Sequence, residues 1–171
     1  MGAGKSTVGC RLAEALGLRF HDLDDILSRR AGATITEIFD TEGESGFRRR
    51  EAVLLDEYTR LPRCVLATGG GCVVRPENRA MLGERGFVVY LKTPVELQLQ
   101  RLRHDTERPL LQAPDRRERL EGLADERTPL YESVADLVVE PGDLSPSAAC
   151  ERILVSLPGE LRVDRASGAG P

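Results

Sequence analysis

Gly2-Ala3-Gly4-Lys5-Ser6-Thr7 stands directly in front of an amphipathic segment, and no other feature constrains the fold as much. It matches the second half of the phosphate-binding pattern G-x-x-x-x-G-K-[ST]. Glycines let backbone N–H groups converge on phosphate oxygens. A helix starting near Lys5 would aim the positive end of its dipole at the same anion. Gly2, Ala3, Gly4, Lys5, Ser6 and Thr7 are therefore candidate phosphate ligands, with Lys5 reaching the β and γ phosphates and the Ser6 hydroxyl ligating Mg²⁺. A glycine-rich stretch can also be plain punctuation. Val8, Leu12, Ala15 and Leu16 follow at helical spacing, which favours the site. The pattern's first glycine would fall two residues before Met1, and the strand that normally enters such a loop is not in the sequence. The expectation is a start upstream of Met1, because the later motifs are intact; a truncated, impaired chain is the alternative.

Helix and strand patterns alternate along the chain, which predicts an α/β fold with a mainly parallel sheet. Helices are expected over Lys5–Leu16, 25–31, 34–39, 44–61, Pro76–Arg85, 94–102 and 145–157, and over 115–133 with an interruption near Pro129. Strands are expected at Arg19–Asp22, 63–67, 87–91 and 136–140. Residues 104–114 are polar, carry two prolines and read as a loop. Residues 1–157 form one expected domain, and the Gly/Pro/Ala/Ser-rich tail 158–171 reads as disordered.

At 171 residues the chain can bury a core without staples. A net charge of −4 gives no electrostatic footprint for general nucleic-acid binding, and the absence of Trp argues against stacking platforms. No run of about 18 apolar residues is present to cross a bilayer, and no signal-peptide pattern opens the chain. Cys10, Cys64, Cys72 and Cys150 form no C-x-x-C pair and suit reduced thiols in the cytoplasm.

Four further groups could carry chemistry. Asp22 and Asp24 are two apart at the end of an expected strand, so both could project from its carboxyl end. Asp22 could then hold Mg²⁺ through water while Asp24 accepts or orients a substrate hydroxyl, or either could simply cap the next helix. In Phe47-Arg48-Arg49-Arg50-Glu51, Arg48 and Glu51 share a helix face and Arg49 and Arg50 point to solvent. Arg48 could fork onto a carboxylate or belong to a solvated face. Gly69, Gly70 and Gly71 follow an expected buried strand and admit close approach of a ligand. Arg108 lies in the 104–114 loop, where a lid would add positive charge at a transferring phosphate. Arg127 is a second possible carboxylate ligand, although a lone helix arginine is more often on the surface.

Taken in order, these motifs resemble the shikimate kinase family from Met1 to about Leu157. The resemblance rests on GxGKST, on Asp22 and Asp24, and on Glu37-Ile38-Phe39 leading to Gly43-Glu44 and Phe47-Arg48. It continues through Ala67-Thr68-Gly69-Gly70-Gly71, Arg108-Pro109-Leu110-Leu111, and Arg127 before Pro129-Leu130-Tyr131. It implies a P-loop NTPase fold of the nucleoside-monophosphate-kinase kind, with a five-stranded parallel sheet flanked by helices. It implies ATP-dependent phosphorylation of the shikimate 3-hydroxyl, in aromatic amino acid biosynthesis, by a cytoplasmic and commonly monomeric enzyme. Carried onto this sequence, Lys5 and the loop glycines hold phosphates, and Ser6 and Asp22 serve Mg²⁺. Asp24 is the base candidate, Arg48 and Arg127 bind the shikimate carboxylate, and Gly69, Gly70 and Gly71 line the pocket. Arg108 reaches ATP phosphates from the lid, residues 23–60 form the acceptor-binding subdomain, and Pro141 stands near the adenine. Another small-molecule kinase, such as one acting on gluconate, and a non-catalytic binding protein are the competing readings.

Overall fold

A computed structural model describes residues 2–103, 115–140, 142 and 144–162. The 104–114 loop with Arg108, Pro141 and the end of the tail lie outside the described residues.

The first helix, α1 (Lys5–Leu16), forms where the spacing predicts it. Val8, Leu12 and Leu16 line its buried stripe. Gly17, in the left-handed region at φ 63°, ends the helix, and the Leu18 N–H returns to the Ala13 carbonyl at 2.8 Å. The chain turns into β1 (Arg19–Asp22) and then α2 (Leu23–Ala31). Next comes α3 (Ile35–Tyr58), opened by a capping box in which Thr34 and Glu37 satisfy each other's backbone donors. The expected separation between helices at 34–39 and 44–61 is present within α3: Gly43, with φ of 69° and ψ of 176°, is not helical and divides it into two helical stretches at a kink.

After β2 (Cys64–Ala67) a short 3₁₀ turn (Cys72–Val74) leads to α4 (Pro76–Arg85), with proline in its first turn. β3 (Val89–Leu91), α5 (Val95–Leu102), α6 (Arg116–Val134), β4 (Leu137–Val139) and α7 (Pro146–Ser156) complete the order. The expected interruption near Pro129 does not occur: α6 runs through it. Pro129 lies on the exposed side of the helix, where water can satisfy the carbonyl its ring leaves unpaired.

Among the described residues all strand pairing is parallel. β1 pairs with β2, Phe20 opposite Val65, and β3 pairs with β4, Tyr90 opposite Val138. Among the described residues these are two separate two-stranded sheets rather than one continuous sheet. One core joins α1, β3, β4 and α7 through Leu12, Leu91, Val139 and Ile153. A second joins α2 and α3 through Leu23, Leu27, Phe47 and Leu55, with Cys72 beneath. No helix among the described residues is long and apolar enough to cross a membrane.

Candidate active site

The phosphate loop is shaped at two glycines. Gly2 and Gly4 have φ of 66° and 81°, a region open to glycine at no steric cost. Gly4 is the residue before α1, so Lys5, Ser6 and Thr7 form the helix's first turn. Their backbone N–H groups lack intrahelical acceptors and face an anion-favouring dipole end. Arg101 in α5 steadies the loop by donating from Nη1 to the Gly2 carbonyl at 3.1 Å.

The Ser6 hydroxyl donates to Asp22 Oδ2 at 2.5 Å. This joins the start of α1 to the end of β1 and sets a hydroxyl and a carboxylate side by side. Two hard oxygen donors beside a phosphate loop fit the chemistry of Mg²⁺.

Asp22 and Asp24 do not project together from a strand. β1 ends at Asp22, and Asp24 lies in the first turn of α2. The Asp22 side chain accepts from the Asp24 N–H at 3.1 Å, so Asp22 caps α2 as well as meeting Ser6. Strand alternation therefore does not govern the pair. The Asp24 side chain stands beside the glycine run.

There Asp24 meets α3. A Cβ placed on Gly69 would stand 2.5 Å from Glu51 Oε1 and 3.0 Å from Asp24 Oδ1. A Cβ on Gly71 would collide with the Arg48 guanidinium. Neither glycine has a positive φ, so both are required by close approach and not by backbone shape. Gly71 is buried under the arginine head, which lies across the loop.

Arg48 is held from two sides. Its Nη1 donates to Glu51 Oε2 at 2.8 Å and its Nη2 to Glu44 Oε1 at 3.1 Å. Burial opposes its charge, but Glu51 and Glu44 more than offset this and keep the guanidinium charged. Arg49 and Arg50 are exposed, as their helix positions predict. Glu51 is 1% exposed, and its Oε1 has no protein partner. Burial raises its carboxyl above the ordinary glutamate range against the pull of Arg48.

Arg127 in α6 is buried at 7% exposure, contrary to the surface position usual for a lone helix arginine, and its Nε has no protein partner. One turn on, the Tyr131 hydroxyl donates to the Gly70 carbonyl, tying α6 to the glycine run. The Tyr131 ring stacks on Tyr90 at 4.8 Å. Asp24, Arg48, Gly69, Gly71 and Arg127 thus come together from four separate segments. Glu51 and Tyr131 are site residues that sequence reasoning left out. The i, i+3 spacing of Arg48 and Glu51 was the signal for the first; nothing local marks the second.

The raised Glu51 carboxyl makes stability depend on pH. The native state keeps this proton to higher pH than the unfolded chain, so Glu51 lowers stability progressively as pH rises through that window. Relative to wild type, Glu51→Gln is expected to lose more stability near pH 4 than at neutral pH. Urea unfolding of both proteins at the two pH values measures this; an equal gap at both would contradict it.

A parallel α/β fold with a phosphate loop at the start of a helix, facing a pocket of carboxylates and arginines, defines a phosphotransferase of the P-loop class. The family profile for shikimate kinase matches residues 1–158, and the chain belongs to the shikimate kinase family. It is 55% identical over 160 residues to a shikimate kinase of Halorhodospira halophila, spanning 94% of this chain and 90% of that one. It is 52% identical over 161 residues to one from Legionella pneumophila, spanning 94% and 92% of the two chains. A structure of shikimate kinase from Acinetobacter baumannii in complex with shikimate superposes with a TM-score of 0.89 at 50% identity, covering 90% of this chain and 86% of that one. The P-loop kinase fold expected from the sequence is therefore the fold of the chain.

Proposed function

We propose that this chain transfers the γ-phosphoryl group of ATP to the 3-hydroxyl of shikimate through the two sites just described. The observation that carries the assignment of residues is the convergence of Asp24, Arg48, Arg127 and the glycine run on one place. Shikimate is a small polyol with one carboxylate. Arg48 and Arg127 supply guanidinium groups for that carboxylate, and Gly69, Gly70 and Gly71 let the ring approach the backbone. The unpaired Glu51 Oε1 and Arg127 Nε are a buried acceptor and donor that such a ligand can satisfy.

Asp24 accepts the proton of the reacting hydroxyl, whose oxygen then attacks the γ phosphorus as ADP departs. Lys5 and the N–H groups of Gly2, Ala3, Gly4, Lys5, Ser6 and Thr7 hold the phosphates and offset their charge. Ser6 and Asp22 would hold Mg²⁺, which supplies charge neutralisation on the phosphates when bound. Arg108, in the 104–114 lid, would add positive charge at the transferring group. Segment 23–60 acts as the acceptor-binding unit, since it carries Asp24 and Arg48 beside the glycine run.

Arg48→Ala is expected to raise KM for shikimate about tenfold to a hundredfold and KM for ATP far less, as loss of a charge-assisted pair implies. Steady-state kinetics with each substrate varied tests the assignment. Equal effects on both constants would place Arg48 outside the acceptor site.

A further inference from the structure

Residues Gly69 to Cys72 make a tight turn, closed by the Cys72 N–H on the Gly69 carbonyl at 3.1 Å. Its third residue, Gly71, has φ −87° and ψ −1°, the values of a type I turn. The sequence of the turn does not choose that form. Glycine in the third place admits the positive φ of a type II turn equally well. The two forms differ by a half-rotation of the central peptide plane. In a trans peptide the C=O and the N–H point in opposite directions. Rotating the plane therefore exchanges the Gly71 N–H for the Gly70 carbonyl oxygen, a donor for an acceptor.

The carbonyl of that central peptide is the one that Tyr131 holds: its hydroxyl donates to the Gly70 oxygen. Arg127 and Tyr131 lie one turn apart on α6, so the helix presents a guanidinium and a hydroxyl on one face. The Tyr131 ring is fixed in turn by its stack on Tyr90, with the planes 28° apart. Burial raises the phenol above the ordinary tyrosine range against the pull of Arg127, so it stays protonated and able to donate. With the Gly70 carbonyl drawn to α6, the Gly71 N–H faces the other way. The Arg48 head lies across that same glycine.

We infer that the Tyr131 hydroxyl is a positioning group, which locks this turn in its type I form so that a backbone N–H, and not a carbonyl oxygen, is offered to the acceptor's carboxylate beside Arg48. The inference rests on the acceptor site proposed above. Without the hydroxyl, the Gly70 carbonyl loses its partner and the turn samples both forms. In the flipped form a carbonyl oxygen opposes the negative charge of the carboxylate.

Tyr131→Phe keeps the ring and removes only the hydroxyl. It is expected to raise KM for shikimate about tenfold, as loss of one buried hydrogen bond implies, with KM for ATP within about twofold of wild type and kcat within about threefold. Tm is expected to fall by about 5 °C or less, so the assay reads a folded enzyme. The backbone couplings of Gly71 in the nuclear magnetic resonance spectrum report its φ. They are expected to show a single negative φ in the unliganded wild type, and an average of negative and positive φ in the unliganded variant. An equal rise in both KM values would make Tyr131 a general tie between α6 and the loop and overturn the inference. So would an unchanged KM for shikimate, or a Gly71 φ that stays negative in the variant. The coupling measurement needs no acceptor: a wild type that does not phosphorylate shikimate would defeat the proposed function, while the couplings still decide whether the hydroxyl sets the turn.

Discussion

Asp24→Asn is expected to lower kcat by about 10²- to 10⁴-fold while leaving KM for ATP near the wild-type value. The carboxylate lies next to Gly69, in the space shared with Glu51. Asparagine keeps the size and a hydrogen-bonding oxygen but cannot take a proton. The backbone cap is untouched, because Asp22 accepts from the N–H of residue 24 whatever side chain it carries. The fold should therefore persist, and circular dichroism would check this beside the rate. A kcat within about threefold of wild type would leave Asp24 an orienting role and remove the base from the account.

Gly71→Ala is expected to raise KM for shikimate about a hundredfold, with a smaller effect on KM for ATP. One methyl group is added, and its position lies inside the Arg48 guanidinium. The arginine is the flexible partner, so it moves and the backbone does not. Moving it breaks the bonds to Glu51 and Glu44 that fix its direction. Glu51 is then buried beside a displaced partner, which is costly for a charged group. The variant thus damages the acceptor site from a residue that need not touch the substrate through any side chain. Kinetics with shikimate varied, together with a melting curve, separate this from unfolding. Unchanged KM would mean that Arg48 is not held over Gly71 in solution.

The local grammar of the chain was readable. α1 and β1 begin and end where spacing and punctuation place them, because Gly17 and the apolar stripe leave few choices. Helix geometry alone assigns Arg49 and Arg50 to solvent, and they are exposed. Tertiary arrangement was less legible. Period 2 pairs Asp24 with Asp22 at a strand end, but the capping power of Asp22 starts the helix at Leu23, two residues before the expected start at 25. Pro129 looked like a break because a sequence does not show that its side of the helix faces solvent. The sequence marks Arg127 as a possible carboxylate ligand but leaves a surface position open, because its burial depends on α6 packing near the glycine run, which no local pattern encodes. The glycines from 69 to 71 signal close approach of a ligand, and the fold brings protein side chains up to them. What approaches them from inside the protein, Glu51 and Arg48, emerges only once α3 is laid against the loop.

The central claim is that this phosphate loop serves a hydroxyl acceptor bearing a carboxylate, namely shikimate. The most direct measurement is coupled ADP release by the folded chain with ATP and Mg²⁺, using shikimate, gluconate or a nucleoside monophosphate as acceptor. The account predicts ADP release with shikimate well above the rate with ATP alone, and no comparable rise with the other two. ADP release driven by gluconate or by the nucleotide, with shikimate inert, would contradict it.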